Sequence, residues 1–315
     1  MGKYKIKNGE AVFPPGIQTI IDGEFDNIQD LTKVVVPDGV TRIWDDAFSQ
    51  AENLKEIVLS DSVIYIGMGA FRDNRSLEEI ILPKNLKNID WMTFDRCTHL
   101  HTVCLPDKLE KICPYAFQGT SNLSSINIPD TVQVIGWRAF KDSSIKSLRF
   151  NNSIIIIKGE AFTGNLNLDN VTFVGSLKTQ IESNAFAGNA NTKSLKVNDC
   201  CNIVLGSGAF CRNYNMETVE VTDSYITVGY KAFSENDKLK TFRANGSIIR
   251  IGSLAFSKCS RVETIDLSNS TIEDFNPRAL GRGNKSLKSI IVDSCYEQMM
   301  KDTLPSWIHD KIKVK

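Results

Sequence analysis

Phenylalanine recurs along this chain at an almost fixed interval, and no other feature limits the possible folds so tightly. It stands at Phe25, Phe48, Phe71, Phe94, Phe117, Phe140, Phe162, Phe186, Phe210, Phe233 and Phe256, with Leu280 in the same slot, at spacings of 22 to 24 residues. Self-similarity at such a period marks a repeat architecture. Ala precedes this position in ten of the twelve units, Glu24 and Thr93 being the exceptions. A small side chain is expected where one coil crowds the next.

Three further columns keep register with the phenylalanines. Six residues on stand Leu31, Leu54, Leu77, Leu100, Leu123, Leu168 and Leu239; nine and eleven residues on stand pairs such as Ile57 and Leu59 or Val219 and Val221; five residues before stands an aliphatic residue from Ile20 to Ile251. The I-x-L alternation has the period of a strand with two side chains pointing inward. A coil of this length cannot bury that face alone, so successive coils must stack, their strands forming a parallel sheet along one face. Phe150, Phe173, Phe242 and Phe275 fall in the other inward columns, which leaves only Phe13 outside the ladders. Gly67, Gly136, Gly206, Gly229 and Gly252 lie four residues before the Phe, where positive φ or a close backbone approach is expected. Pro37, Pro83, Pro106 and Pro129 follow the main strand at a corner that needs no ladder donor.

The full pattern, L-x-x-I-x-L-P-x-x-V-x-x-I-x-x-x-A-F-x-x-C-x-x-L, runs through stretches such as Leu77 to Leu100, with Leu86 in the Val slot and Thr93 in the Ala slot. It resembles the BspA-like leucine-rich repeat family over nearly the whole chain, and Cys97 and Cys259 occupy that family's inward Cys position. The resemblance implies a right-handed leucine-rich repeat coil, an α/β-type solenoid of mostly β and irregular content with about twelve coils. It also implies a non-catalytic scaffold, frequent on bacterial surfaces and associated with adhesion or host contact. The tail from Tyr296 to Trp307 resembles the family's amphipathic closing segment, with Tyr296, Met300, Leu304 and Trp307 as core contacts.

Residues 1–13 are expected to form a capping hairpin, 14–292 the array and 293–315 a C-terminal cap. Two dialects divide the array. Through Phe140 the corner reads P-x-x-V-x-x-I; from residue 151 the proline is lost and the run becomes I-x-I, as at Ile155 and Ile157. A longer second strand is expected in the second half, with a change of curvature or twist near 141–158. The hydrophobic columns pass through without a linker, so no domain boundary is read there.

Composition excludes several functions. Net charge is zero, from 37 basic and 37 acidic residues, which favours neither nucleic acid nor an anionic membrane. No apolar run of roughly 18 residues is present to span a bilayer. The basic start, Met-Gly-Lys-Tyr-Lys, lacks the apolar region of a secretory signal; this reads as cytoplasmic if Met1 is native, whereas the family resemblance implies the cell surface or secretion. The eight cysteines include no C-x-x-C pair, so reduced, packed thiols are expected and no metal or cofactor is implied. His99 and His101 lie near Cys97 and Cys104, but the register turns Cys97 inward and His101 outward, and His309 falls in the tail at the surface. No phosphate-binding, zinc-protease or serine-hydrolase motif occurs, and the chain is read as no enzyme.

Binding columns are better supported. The residue between the two inward strand positions projects from the exposed sheet face, and this column opens with Val35, Val58, Ile81 and Cys104 before turning polar at Asn127 and Arg149. Three residues before the Phe runs a second exposed column with Met68, Trp91, Pro114 and Trp137, and Trp44 lies one position away. Exposed aromatic clusters mark interfaces; equally, such rings can pack on the flank of the next coil. The expectation is a monomer that binds a protein partner or surface glycan through Trp44, Met68, Trp91, Trp137, Val35, Val58 and Ile81. A structural or self-assembling repeat element is the alternative.

Overall fold

The computed structural model describes residues 4–151, 154–281 and 283–315. The start of the 1–13 hairpin, residues 1–3, lies outside them. Two compact units are present, Met1–Ile145 and Lys146–Lys315. Each is a β-solenoid of stacked coils, numbered here by their aromatic position: coils 1 to 6 carry Phe25 to Phe140, and coils 7 to 12 carry Phe162 to Leu280.

In the first unit, an antiparallel hairpin of Lys5–Lys7 and Glu10–Val12 opens the chain. Tyr4, Phe13 and Phe25 pack there with ring centroids 5.5 to 5.9 Å apart, which gives Phe13 its role. Main strands are three residues long, such as Lys33–Val35 and Glu56–Val58, and second strands two, such as Arg42–Ile43 and Tyr65–Ile66. Proline sets the corner between them. The Pro37, Pro83, Pro106 and Pro129 carbonyls each accept the N–H three residues on, so each proline is the first residue of a tight turn. The rings of Phe25, Phe48, Phe71, Phe94, Phe117 and Phe140 form a buried column with centroids 5.1 to 5.5 Å apart and planes within 12° of parallel. Such contacts are worth about 0.5–1.5 kcal/mol each beyond area burial.

The second unit has the longer second strands expected, for example Ile154–Ile157 and Tyr225–Val228. Its main strands lengthen too, to five residues in Ser147–Asn151, Asn170–Val174, Ser194–Asn198, Thr218–Thr222 and Thr241–Asn245. Their parallel ladder continues in register through Thr264–Asp266 and Ser289–Val292. A residue with positive φ followed by a small polar residue replaces the proline corner. Asp223 and Gly246, at φ 47° and 63°, precede Ser224 and Ser247, and each serine hydroxyl accepts the backbone N–H of the previous coil's corner, Ser224 from Cys200 and Ser247 from Ser224. Phe162, Phe186, Phe210, Phe233 and Phe256 stack 4.8 to 5.9 Å apart.

Beside those rings runs a ladder of asparagines, three residues after each Phe. Asn165, Asn189, Asn213 and Asn236 are fully buried. Each Oδ1 from Asn189 onward accepts the backbone N–H of the asparagine one coil earlier, at 2.8 Å. The Nδ2 groups donate to the Phe162, Phe186 and Phe210 carbonyls. Cys97 and Cys259, at the same position, donate Sγ–H to the preceding coil's Phe carbonyl at 3.1 Å.

The five column glycines do not have positive φ; they answer to close approach instead. A Cβ on Gly136 would lie 2.4 Å from Pro114 N, and one on Gly229 would lie 2.4 Å from Leu205 O. Positive φ falls elsewhere, two residues before and two after the Phe, as at Met92 and Arg96.

At the C-terminus a short helix, Glu297–Thr303, and a strand, Ile312–Val314, close the second unit, the strand pairing parallel with Ser289–Val292. Met300, Leu304 and Ile308 are buried, but Trp307 is 55% exposed. The expectation of a buried Trp307 is thereby corrected: it sits in a one-turn-per-three-residue helix, Ser306–Lys311, on which its neighbour Ile308 takes the inward place.

Candidate functional site

The exposed sheet face differs between the units. In the second, four charges of the outward column pair across coils: Lys196 meets Glu220 at 3.4 Å and Arg243 meets Asp266 at 3.2 Å. In the first, the same column presents Val35, Val58 and Ile81, all exposed, Ile81 to 70%. Apolar side chains held out of the core on a rigid strand retain the full incentive to leave water.

Val58 and Ile81 also border a groove of about 510 Å³ lined by Lys55–Leu59 and Glu78–Ile81. The main-strand ladder is interrupted at this boundary, although the strands on either side stay adjacent. Coils 2 and 3 pair through Lys33–Val35 and Glu56–Val58, and coils 4 and 5 through Glu79–Ile81 and Thr102–Cys104. Coils 3 and 4 have no ladder, either between main strands or between the second strands Tyr65–Ile66 and Asn88–Ile89. Flanking bonds vanish too. Lys55 donates to Thr32 O, and His101 to Glu78 O, but Glu78 N–H has no counterpart on Lys55 O. The coils stay joined at the aromatic corner, where Gly69, Phe71 and Asp73 donate to Trp91, Thr93 and Asp95 at 2.8 to 3.0 Å. A salt bridge from Lys84 to Asp61 at 2.7 Å spans the far corner and holds the Asp61 carboxyl below its ordinary range, by hydrogen bonding first and Coulomb attraction second.

The tryptophan column lies on the flank. Trp91 and Trp137 are 46% and 39% exposed, Met68 is exposed and Trp44 half-buried. Tyr115 stands between the two indoles, edge-on to each, at 6.4 Å from Trp91 and 5.0 Å from Trp137. Trp44 meets Tyr65 the same way, and the Arg138 and Arg42 guanidiniums lie over Trp137 and Trp44. These rings therefore pack on neighbouring coils and still show a large apolar area to solvent.

The sulfur and imidazole groups do not converge. Cys97 is buried, whereas His101 is exposed with its Nδ1 3.0 Å from the Thr102 hydroxyl. Burial pushes the Cys97 thiol up strongly and the Cys259 thiol up to about 12, so both stay protonated and unreactive. His309 is half-buried, with Nε2 2.8 Å from the Leu304 carbonyl, and so ties the cap together. Among the described residues no group of His, Cys, Asp and Glu could hold a metal, and no helix is long and apolar enough to cross a membrane.

Sequence reasoning placed Val58 and Ile81 on the exposed face but missed the break between them. A signal was present. Extending the 23-residue register sets Glu79 opposite Glu56, and like charges directly opposed on neighbouring strands destabilise the pair.

The chain is similar to several solved structures at identities that show the fold alone. A leucine-rich repeat protein from Bacteroides ovatus ATCC 8483 matches at TM-score 0.68 and 21% identity, covering 96% of this chain and 76% of that one. The pneumococcal vaccine antigen PcpA matches at TM-score 0.49 and 16% identity over 95% and 85% of the two chains. A leucine rich cell surface protein from Faecalibacterium prausnitzii A2-165 matches at 0.43 and 20% over 90% and 78%. No curated protein matches. The model of the BspA type leucine rich repeat region matches in six copies, over residues 18–146, 92–204 and 179–304. With the phenylalanine columns stacked as that repeat requires, the chain belongs to the BspA-type leucine-rich repeat family.

Proposed function

We propose that this protein is a non-catalytic binding scaffold whose first unit engages a protein partner through the exposed column Val35, Val58 and Ile81 and the flank residues Trp44, Met68, Trp91 and Trp137. The observation that carries the reading is the contrast between two faces built from one repeat. Four outward charges of the second unit pair across coils, whereas the first unit leaves aliphatic and indole surface in water beside an open groove. Large aromatic side chains contribute most where they are desolvated at an interface centre. A surface glycan would use the same indoles by stacking. Action at the cell surface is part of the same proposal.

The test is a pull-down with the intact chain as bait beside the Trp91→Ala, Trp137→Ala double variant. Loss of a captured partner with the melting temperature within about 3 °C supports the reading; each exposed ring forfeits packing worth about 1 kcal/mol. Unchanged capture, or a collapse in stability, would assign the indoles to packing.

A further inference from the structure

Four steps of this chain set Asn or Asp directly before Gly: Asn8–Gly9, Asp22–Gly23, Asp38–Gly39 and Asn245–Gly246. At such a step the glycine nitrogen is unshielded by any side chain of its own and can reach the preceding side-chain carbonyl. What the fold does with that nitrogen decides whether they meet. Three of the four are tied down. Gly23 N–H donates to Asp45 O, Gly39 N–H to Ser62 Oγ and Gly246 N–H to Asn269 O, each at 3.1 Å. Asn245 is held on its other side as well, its Oδ1 accepting from Asn269 Nδ2 at 2.9 Å.

Asn8–Gly9 is the exception. The two residues form the loop between Lys5–Lys7 and Glu10–Val12, with φ 54° and 81°, the hairpin turn that Asn-Gly favours. Among the described residues Gly9 N–H has no acceptor, and the exposed Asn8 side chain has no hydrogen-bond partner. The Gly9 carbonyl, in contrast, joins the hairpin to the first main strand. It accepts Thr32 N–H at 2.8 Å, Lys33 N–H at 3.0 Å and the Thr32 hydroxyl at 3.1 Å. Glu10 then pairs with Lys33, while Tyr4 and Phe13 pack on Phe25, the first ring of the buried column.

We propose that Asn8 is a site of spontaneous covalent modification, in which its side-chain amide is lost and isoaspartate forms, and that this change detaches the N-terminal hairpin from the first main strand. The Gly9 nitrogen gives its proton to hydroxide and attacks Asn8 Cγ. The new N–Cγ bond closes a five-membered imide, the Cγ–Nδ2 bond breaks, and ammonia leaves with a proton from water. Water then opens the ring, at Cγ to give Asp or at the main-chain carbonyl to give isoaspartate. The sum is one water consumed and one ammonia released, with nothing oxidised or reduced. Isoaspartate inserts an extra methylene into the main chain just before Gly9. A two-residue turn cannot absorb it and keep Lys7 opposite Glu10, so the Gly9 carbonyl is carried away from Thr32 and Lys33. The loss falls on the cap that closes the open end of the stack.

The intact chain is incubated in mildly alkaline buffer, with and without denaturing urea, and digested for mass spectrometry that separates Asn, Asp and isoaspartate peptides. In the folded chain Asn8 should convert at least about tenfold faster than Asn245, where two hydrogen bonds of ordinary net strength must first open. In urea the two rates should draw together. Equal rates in the folded chain, or a difference undiminished by urea, would overturn the assignment. Asn8→Gly keeps a residue suited to the turn and removes the reaction. After incubation, the Thr32 and Lys33 amides of the wild-type chain should exchange faster with solvent, and those of Asn8→Gly treated alike should not. Protection at Thr32 and Lys33 that survives conversion of Asn8 would refute the detachment.

Discussion

Asn213→Ala tests whether the buried asparagine ladder is structural in the second unit. Asn213 Oδ1 accepts Asn189 N–H at 2.8 Å, and its Nδ2 donates to the Phe186 and Phe210 carbonyls at 3.1 and 3.2 Å. Those two carbonyls keep the Nδ2 groups of Asn189 and Asn236, so the substitution strands one buried donor, Asn189 N–H. Leaving it unsatisfied costs about 1–3 kcal/mol, and the small void left by the amide adds about 1 kcal/mol. A loss of about 2–4 kcal/mol is expected, read as a lower midpoint in urea unfolding. Asn74 supplies the contrast. It occupies the same buried position, yet neither its Nδ2 nor its Oδ1 has a partner, because Cys97 follows it in the next coil and bonds to Phe71 O instead. Asn74→Ala, which copies the Ala51 of the preceding coil, should be neutral or stabilising by up to about 2 kcal/mol. Equal losses for the two variants would show that the column is governed by volume and not by hydrogen bonding, and the reasoning would be wrong.

Two further perturbations read other parts of the fold. Burial first, and Asp73 beside it, push the Asp95 carboxyl up to about 6 against the attraction of Arg96 and a hydrogen bond from Gln118. The folded state therefore holds a proton that the unfolded chain releases near 3.8, so stability should fall as pH rises from about 4 to about 6 and then level off. Asp95→Asn should flatten that slope and raise stability at pH 7.5 by about 1–3 kcal/mol, measured by urea unfolding across pH; an unchanged slope refutes the assignment. Gly229→Ala should cost about 2–3 kcal/mol, because its Cβ would strike the Leu205 carbonyl; a thermal midpoint within 1–2 °C of wild type would remove the close-approach argument.

How much of this was legible follows from what the sequence pattern encodes. Residues that repeat for one physical reason, such as the Ala-Phe pair and the I-x-L alternation, announced the coil, the inward columns and the lengthened second strands. The asparagine ladder was legible too, since Asn165, Asn189, Asn213 and Asn236 keep the same register. It escaped because the position was assigned to cysteine. The glycine column was legible only as a choice between positive φ and close approach, which depends on where the previous coil's carbonyl lands. Trp307 was misplaced because it was read from the family's closing segment, whereas its own stretch, Ser306–Lys311, winds at three residues per turn and turns Ile308 inward instead.

The break between coils 3 and 4 belongs to another class, for it is a property of neighbours and not of any one unit. Coil 3 and coil 4 each satisfy the repeat, with Ile57, Ile66, Ile80 and Ile89 buried and Phe71 stacked 5.5 Å from Phe94. Only their juxtaposition sets Glu79 against Glu56. In a stack held by nearest-neighbour interfaces, a weak interface is local, so the aromatic corner can keep its bonds while the strand ladder lapses. That locality lets a repeat protein vary one boundary between two otherwise regular coils. It also makes the groove's cause testable: Glu79→Lys restores alternation of charge across the boundary, and should close the ladder. Slower exchange of the Leu59 and Glu78 amides in the variant is the expected result, and unchanged exchange would mean that charge is not what interrupts the ladder.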